Sequence, residues 1–289
     1  MSTELNPAVF LGLGPCTIAG VDYPTCSTTG NTNQRRTLFL QNPEQGQYYA
    51  GLVAIDDGGT ASYNGLFLSI QKRLSHNVSV LANHTWQHCI SDFWNIAFTS
   101  GVNFPGGRRA NRGNCQTGDQ RHVFNLSAVL QTPRFSTGAL RAIGSNWQLS
   151  PILKLRSAQF FTVTTGLGNQ VPNLVPGISP YATNKTVDHW LNPAAFASPA
   201  PGTYGNAGQS EGPGVFQLDM ALSRTFVIRE GKLQLRVEAF NLPNHLNPST
   251  PVATLNSGSF GQILSDISGT SGLTAGDSRV LQFALKWIF

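Results

Sequence analysis

The stretch RVLQFALKWIF (residues 279–289) places Leu281, Phe283, Leu285, Trp287 and Phe289 at every second position, with Gln282, Ala284 and Lys286 between them. Successive side chains of an extended strand point to opposite faces, so this stretch reads as one wholly apolar face backed by a more polar one. Such a face has to meet either a protein core or hydrocarbon. Left bare in water, a long apolar strand invites aggregation.

The same alternation recurs upstream. GVFQLDMALSRTF (214–226) sets Phe216, Leu218, Met220 and Leu222 against Gln217, Asp219 and Ser223, and KLQLRVEAF (232–240) sets Leu233, Leu235, Val237 and Ala239 against Lys232, Gln234, Arg236 and Glu238. SNWQLSPILKLRS (145–157) opposes Trp147, Leu149, Leu153 and Leu155 to Gln148, Ser150, Lys154 and Arg156, and RHVFNLSAVLQ (121–131) follows the same code. Earlier, ASYNGLFLSIQKR (61–73) and NVSVLANHTW (77–86) predict a hairpin with a tight turn near 74–77.

With a weaker strand at 49–56, the pattern predicts about eight strands, each near the length a tilted strand needs to cross a bilayer. Connections are short at 74–77 and at REGK (229–232), moderate at 132–145, and long near 88–117, 166–213 and 243–276. Short turns on one rim and long loops on the other are the plan of an outer-membrane barrel. Residues 1–48, with Gly14, Pro15, Pro24, Gly30 and Asn31, lack periodicity and read as an irregular N-terminal segment before a barrel portion at 49–289.

Bulk composition points the same way. Charged residues make up 11%, below half of the roughly 25% of an ordinary soluble domain. The net charge of +5 has no long basic run behind it; Arg108, Arg109 and Arg112 sit in a Gly-rich stretch that reads as a solvated loop, so no nucleic-acid partner is expected. No run of 18 apolar residues predicts a transmembrane helix, and the start MSTELNPAVFLGLGPCTIAG does not read as a signal peptide. A fragment, or a chain not exported in this form, is the expectation from that start.

Period two alone does not separate a membrane barrel from a soluble sandwich, since either can supply the second medium. Strand length, alternating loop lengths and the aromatics near strand ends (Trp86, Trp147, Trp287, Phe289) favour lipid. On that reading Gln148, Lys154, Arg156, Gln217, Asp219, Arg236, Glu238, Gln282 and Lys286 face the lumen, where opposite charges on adjacent strands are expected to pair. Leu281, Phe283, Leu285, Trp287 and Phe289 face lipid and form a C-terminal insertion signal.

Cys16 with Cys26 and Cys89 with Cys115 form two local pairs, open to bridging or to the free-thiol state. GQSEG (208–212) fits the G-x-S-x-G nucleophile elbow, but no strand precedes and no helix follows, so a loop is expected. His84, His88, Cys89, Cys115 and His122 carry ligand chemistry, yet four residues along a strand span roughly 13 Å, too far for one ion. No catalytic residue, cofactor or metal is predicted, and the chain is not read as an enzyme.

GPGVFQLDMALSRTFVIREGKLQLRVEAFNLPNHLN (212–247), followed by SFGQI and RVLQFALKWIF, resembles the C-terminal barrel strands of TonB-dependent outer-membrane receptors, nearest their Oar-like branch. SYNGLFLSIQKRLSHNVSVLANHTW, NRGNCQTGDQRHVFNLSAVLQTP and DHWLNPAAFASPAPGTYGNAG are similar to that branch in the same order, so the resemblance covers roughly 45–289. It implies a much larger barrel with an internal plug, energised through TonB, in the outer membrane of a Gram-negative bacterium. This chain would then be a C-terminal barrel fragment of a receptor whose parent moves a large solute. It would not transport alone, because the plug and TonB box are not in it. Its partners would be outer-membrane lipid, the barrel-assembly machinery, the parent's plug and remaining strands, and TonB only through that parent. The fold expected is all-β, an antiparallel up-and-down meander of about eight strands forming an incompletely closed barrel wall. A small stand-alone pore or adhesin, or a soluble binding sandwich, are the alternatives.

Overall fold

The structure, a computed structural model, describes residues 2–55, 57–92, 109, 112–115, 119–167, 171–203, 205–268 and 278–289. Arg108 lies outside the described residues. Seven long strands carry the architecture: β1 (Ala61–Ser75), β2 (Val78–Ser91), β3 (His122–Gln131), β4 (Trp147–Arg156), β5 (Val215–Ile228), β6 (Gly231–Phe240) and β7 (Val280–Ile288). Each pairs antiparallel with its neighbour in sequence, giving one meander from β1 to β7. Their lengths, from nine residues in β7 to 15 in β1, suffice to cross a hydrocarbon layer at a tilt.

The weak strand expected at 49–56 stands elsewhere. Val53–Ile55 pairs with Ser2–Glu4 in a separate two-stranded sheet, and the eighth member of the main sheet is the two-residue strand Gly113–Asn114, bridged to β2. Three residues before an Asp-Gly-Gly break cannot form a rung that matches the 15 of β1.

Register explains why the sheet holds its polarity. Leu68 faces His84, which faces Phe124, which faces Leu155; Leu155 faces Phe216. On the other flank Leu222 faces Val237, which faces Phe283. A one-residue slip in any pair would put one strand's apolar row on the wrong side. The pairings keep one register apart from a β-bulge between Lys72 and Ser75 at the turn end of β1, so the main apolar rows of all seven strands share one face, while Phe67, Leu81, Val123 and Ile152 stand among the polar rows. The β1–β2 hairpin closes through His76 (φ 50°) and Asn77 (φ 62°), the two left-handed residues that match strand twist in a tight hairpin.

The sheet does not close. Among the described residues β1 pairs only with β2 and β7 only with β6, so both outer edges stay open. Nor does a second layer cover the apolar face: Ile70 is 70% exposed, Phe283 73% and Leu285 68%. A soluble sandwich would have buried them. The buried apolar core lies instead in the long connections, where Phe161, Val163, Leu191, Ala195, Phe196 and Ala207 pack together. Among the described residues, Ala239 is the sole buried apolar residue of the seven strands.

The connections between β1 and β2, β3 and β4, and β5 and β6 lie at one rim; the long ones lie at the other. The moderate connection between β3 and β4 contains a helix, α1 (Gly138–Gly144). Residues ahead of β1 enter at the long-loop rim and are not featureless. They hold the hairpin Cys16–Ile18 with Val21–Tyr23 and the short helices Thr37–Gln41 and Pro43–Gly46.

Candidate functional site: the polar face and the loop crown

The residues read as lumen-facing all fall on the sheet face opposite the apolar rows. One polar rung runs through Ser69, Asn83, Asn125, Lys154 and Gln217, each opposite the next in register. Asn125 Nδ2 donates to Asn83 Oδ1 at 3.2 Å, and nearer the short-turn rim Gln131 Nε2 donates to Gln148 Oε1 at 3.1 Å. Arg156 and Val215 face each other at the long-loop end, and Gln282 and Lys286 face Glu238 and Gln234. Leu281, Phe283, Leu285 and Trp287 lie on the apolar side, with Phe289 following the last strand.

Charge pairing differs from the cross-strand expectation. Arg236 Nη2 binds Glu238 Oε1 at 2.5 Å within one strand. Register gives the reason: Arg236 has Ser223 and Ala284 beside it, and Glu238 has Ala221 and Gln282, so each ion's cross-strand neighbours are neutral. Among the described residues Asp219 pairs with no cation. It accepts from Gln217 Nε2 at 3.1 Å and from the Asn241 backbone N–H at 2.9 Å, tying β5 to the loop after β6.

The long connections and the N-terminal segment knit into a crown above this face. A disulfide joins Cys89 to Cys115 and holds the β2–β3 loop to its strand; another joins Cys16 to Cys26. Gln209 clamps Asn114 in both directions, accepting its N–H and donating to its carbonyl, each at 2.6 Å. The Leu255 N–H donates to Thr164 O at 2.8 Å, and the Gly202 N–H to Phe10 O at 2.8 Å, so four segments share contacts. Between them lies a cleft of 430 Å³ lined by Leu13, Ser27, Thr28, Thr165, Leu167 and Leu255, among others, with no charged residue among the described residues of its wall.

Asp92 anchors the crown to the sheet. It accepts from Thr60 through the backbone N–H (2.9 Å) and hydroxyl (2.6 Å), and from Arg112 Nη1 at 2.5 Å. Burial alone would raise this carboxyl, but the Thr60 and Arg112 hydrogen bonds, with the Arg112 charge, hold it below the usual carboxylate range. Folding therefore favours the ionised form. The stabilisation is fully present above the usual aspartate value of about 3.9 and is lost as pH falls through the lowered folded value. Asp92→Asn should weaken the loop by about 1–3 kcal/mol at neutral pH and remove that acid dependence. Proteolysis rates within 92–121 across pH 2–6 measure both effects.

The motifs set aside in the sequence resolve differently from one another. In GQSEG, Gln209–Glu211 is a strand paired with Phe160–Thr162, and Ser210 is buried, which is not the strand–turn–helix of a nucleophile elbow. Spacing along one strand keeps His84 and His88 apart, but the sheet brings two histidines together across strands. His84 Nε2 and His122 Nδ1 stand 3.2 Å apart with stacked rings. Cys89 and Cys115 are bonded to each other, and among the described residues no group of three His, Cys, Asp or Glu side chains could hold a metal ion.

An antiparallel meander with one exposed apolar face, one polar face and long loops on a single rim defines a segment of membrane-barrel wall. A family model for the outer membrane beta barrel domain matches residues 2–282. The chain belongs to that family, and its place is the outer membrane. No curated protein matches it.

Proposed function

We propose that this chain forms the C-terminal part of the barrel of a TonB-dependent outer-membrane receptor of the Oar-like branch, whose parent moves a large solute. The observation that carries the reading is the pair of open edges. Among the described residues, seven long strands in sequence order leave unpaired backbone on β1 and on β7, which further strands of a wider barrel would satisfy. The plug, the other strands and the contact with TonB belong to the parent on this reading. The barrel-assembly machinery would read the C-terminal strand. The uncharged, hydroxyl-rimmed cleft in the crown suits solute recognition at the outer surface.

A small stand-alone pore or adhesin predicts a different behaviour. Reconstituted alone into liposomes, the chain should insert through its apolar face but, with both edges open, give no steady single-channel conductance and no heat-modifiable gel mobility. Co-folded with the remaining strands of its parent, it should give heat-modifiable mobility. Steady conductance from the chain alone would overturn the receptor-fragment reading.

A further inference from the structure

The short-turn rim carries a feature that wall-building does not require. Helix α1, in the β3–β4 connection, has the sequence GALRAIG, and it places Leu140 and Ile143 one turn apart on a common side. They are 58% and 71% exposed. An exposed apolar pair on a seven-residue helix is costly in water and unneeded for turning the chain.

Where the helix sits decides what meets it. Trp147 Nε1 donates to the Ile143 carbonyl at 2.7 Å, and Arg224 Nη2 donates to the Ala142 carbonyl. Trp147 and Arg224 face each other in register on the apolar side of the sheet, in line with Leu149 and Leu222. The carbonyls at the helix C-terminus are thus satisfied by two side chains of the outer face, one of them cationic. The Arg224 guanidinium also lies over the Trp147 and Phe226 rings, at 5.1 and 4.7 Å from their centroids. The helix is therefore pinned against the outside of the wall, and Leu140 and Ile143 extend its apolar surface beyond the strand ends. Arg141, off the apolar stripe, and Arg224 add positive charge where the tryptophan and phenylalanine sit. Apolar side chains, aromatic rings and arginines together suit the headgroup boundary of a bilayer.

We propose that α1 is an interfacial anchor lying in the phospholipid headgroup layer at the short-turn, periplasmic rim, with Leu140 and Ile143 at the acyl boundary. The occupant of this surface is phospholipid, because the surface is continuous with the apolar wall of an outer-membrane protein and carries cations for phosphate. The inference rests on the family and the sheet faces, not on the receptor reading.

All four cysteines are bridged, so a single introduced cysteine can be spin-labelled without competition. The full chain is folded into phosphatidylethanolamine–phosphatidylglycerol vesicles with a label at Ile143→Cys, Leu140→Cys, Phe283→Cys on the wall, or Asn77→Cys in the β1–β2 turn at the same rim. Oxygen and a water-soluble nickel chelate then serve as collision probes. The labels at 140 and 143 should favour oxygen over nickel, as at 283, while that at 77 favours nickel. A label at 143 that behaves like 77 while 283 stays in lipid overturns the anchor and leaves the wall intact. Labels at 140 and 143 shielded from both probes would mean a protein covers the helix, which also overturns it. A label at 283 that favours nickel overturns the anchor together with the wall.

Discussion

Phe283→Arg should nearly abolish insertion of the C-terminal strand, while Ala284→Arg, one residue along, should leave it almost unchanged. Both positions lie near the middle of β7 and both are exposed, so neither exposure nor strand position separates them. Register does. Phe283 stands beside Val237 in the apolar row, and Ala284 stands beside Arg236 on the polar face. An arginine facing lipid at the midplane of a barrel costs about 2–4 kcal/mol. That lowers the ratio of inserted to uninserted chain by roughly 30- to 1,000-fold. An arginine on a water-filled face avoids that cost, although beside Arg236 it meets a like charge worth a few tenths of a kcal/mol. The inserted fraction in vesicles, scored by protease protection, measures the contrast. Equal loss at both positions would mean that the two faces meet the same medium, and the assignment of lumen and lipid would fall.

That contrast was legible before any coordinates. Strands buried on neither side by protein still obey the two-residue period, because the media on their two faces differ. So the rows from Leu66 to Trp287 could be read from spacing alone, and the register aligns them as the spacing implies. What resisted reading was whatever depends on which strand lies beside which. The His84–His122 contact exists because β3 sets His122 opposite Trp86, next to His84 on the same face. Arg236 turns to Glu238 because its cross-strand neighbours are neutral, a fact of register that composition does not carry.

The loops show the other limit. Phe161, Val163, Leu191 and Phe196 come from separate turns of chain with no shared period, and they meet only because the crown folds as a unit. The three-residue strand at Val53–Ile55 imitates a barrel strand in pattern, but its partner is Ser2–Glu4. The 1–48 segment has no periodic face at all, and its order rests on polar contacts that a hydropathy pattern cannot display.

Arg35 is the centre of those contacts, and Arg35→Met should unfold the N-terminal segment while the barrel strands persist. The side chain is fully buried. Its Nε donates to Asn31 Oδ1 at 2.9 Å, one terminal nitrogen to Val9 O at 2.6 Å and the other to Thr28 O at 2.9 Å. Desolvation, and then the neighbouring Arg36 charge, lower its pKa, so burying this cation is itself costly and the hydrogen bonds offset that cost. Methionine removes the cost but leaves the Val9 and Thr28 carbonyls facing an apolar chain, each penalised by about 1–3 kcal/mol if water cannot reach it, while Asn31 Oδ1 keeps the Thr28 N–H at 3.0 Å. Allowing for the desolvation regained and for relaxation, a net loss of about 3 kcal/mol is expected. Lysine should rescue little, since one ammonium on a flexible stem cannot match a planar fork aimed at three separated oxygens. The measurement is hydrogen exchange resolved by segment. The amides of Val9 and Cys26, which bond to Arg35 O and Gly14 O, should lose protection by about a hundredfold in Arg35→Met, while those of β5 and β6 keep theirs. Uniform loss across both would mean that the segment and the sheet fold as one cooperative unit. A polar-knit segment that folds apart from a sheet held by lipid and ladder would then be ruled out.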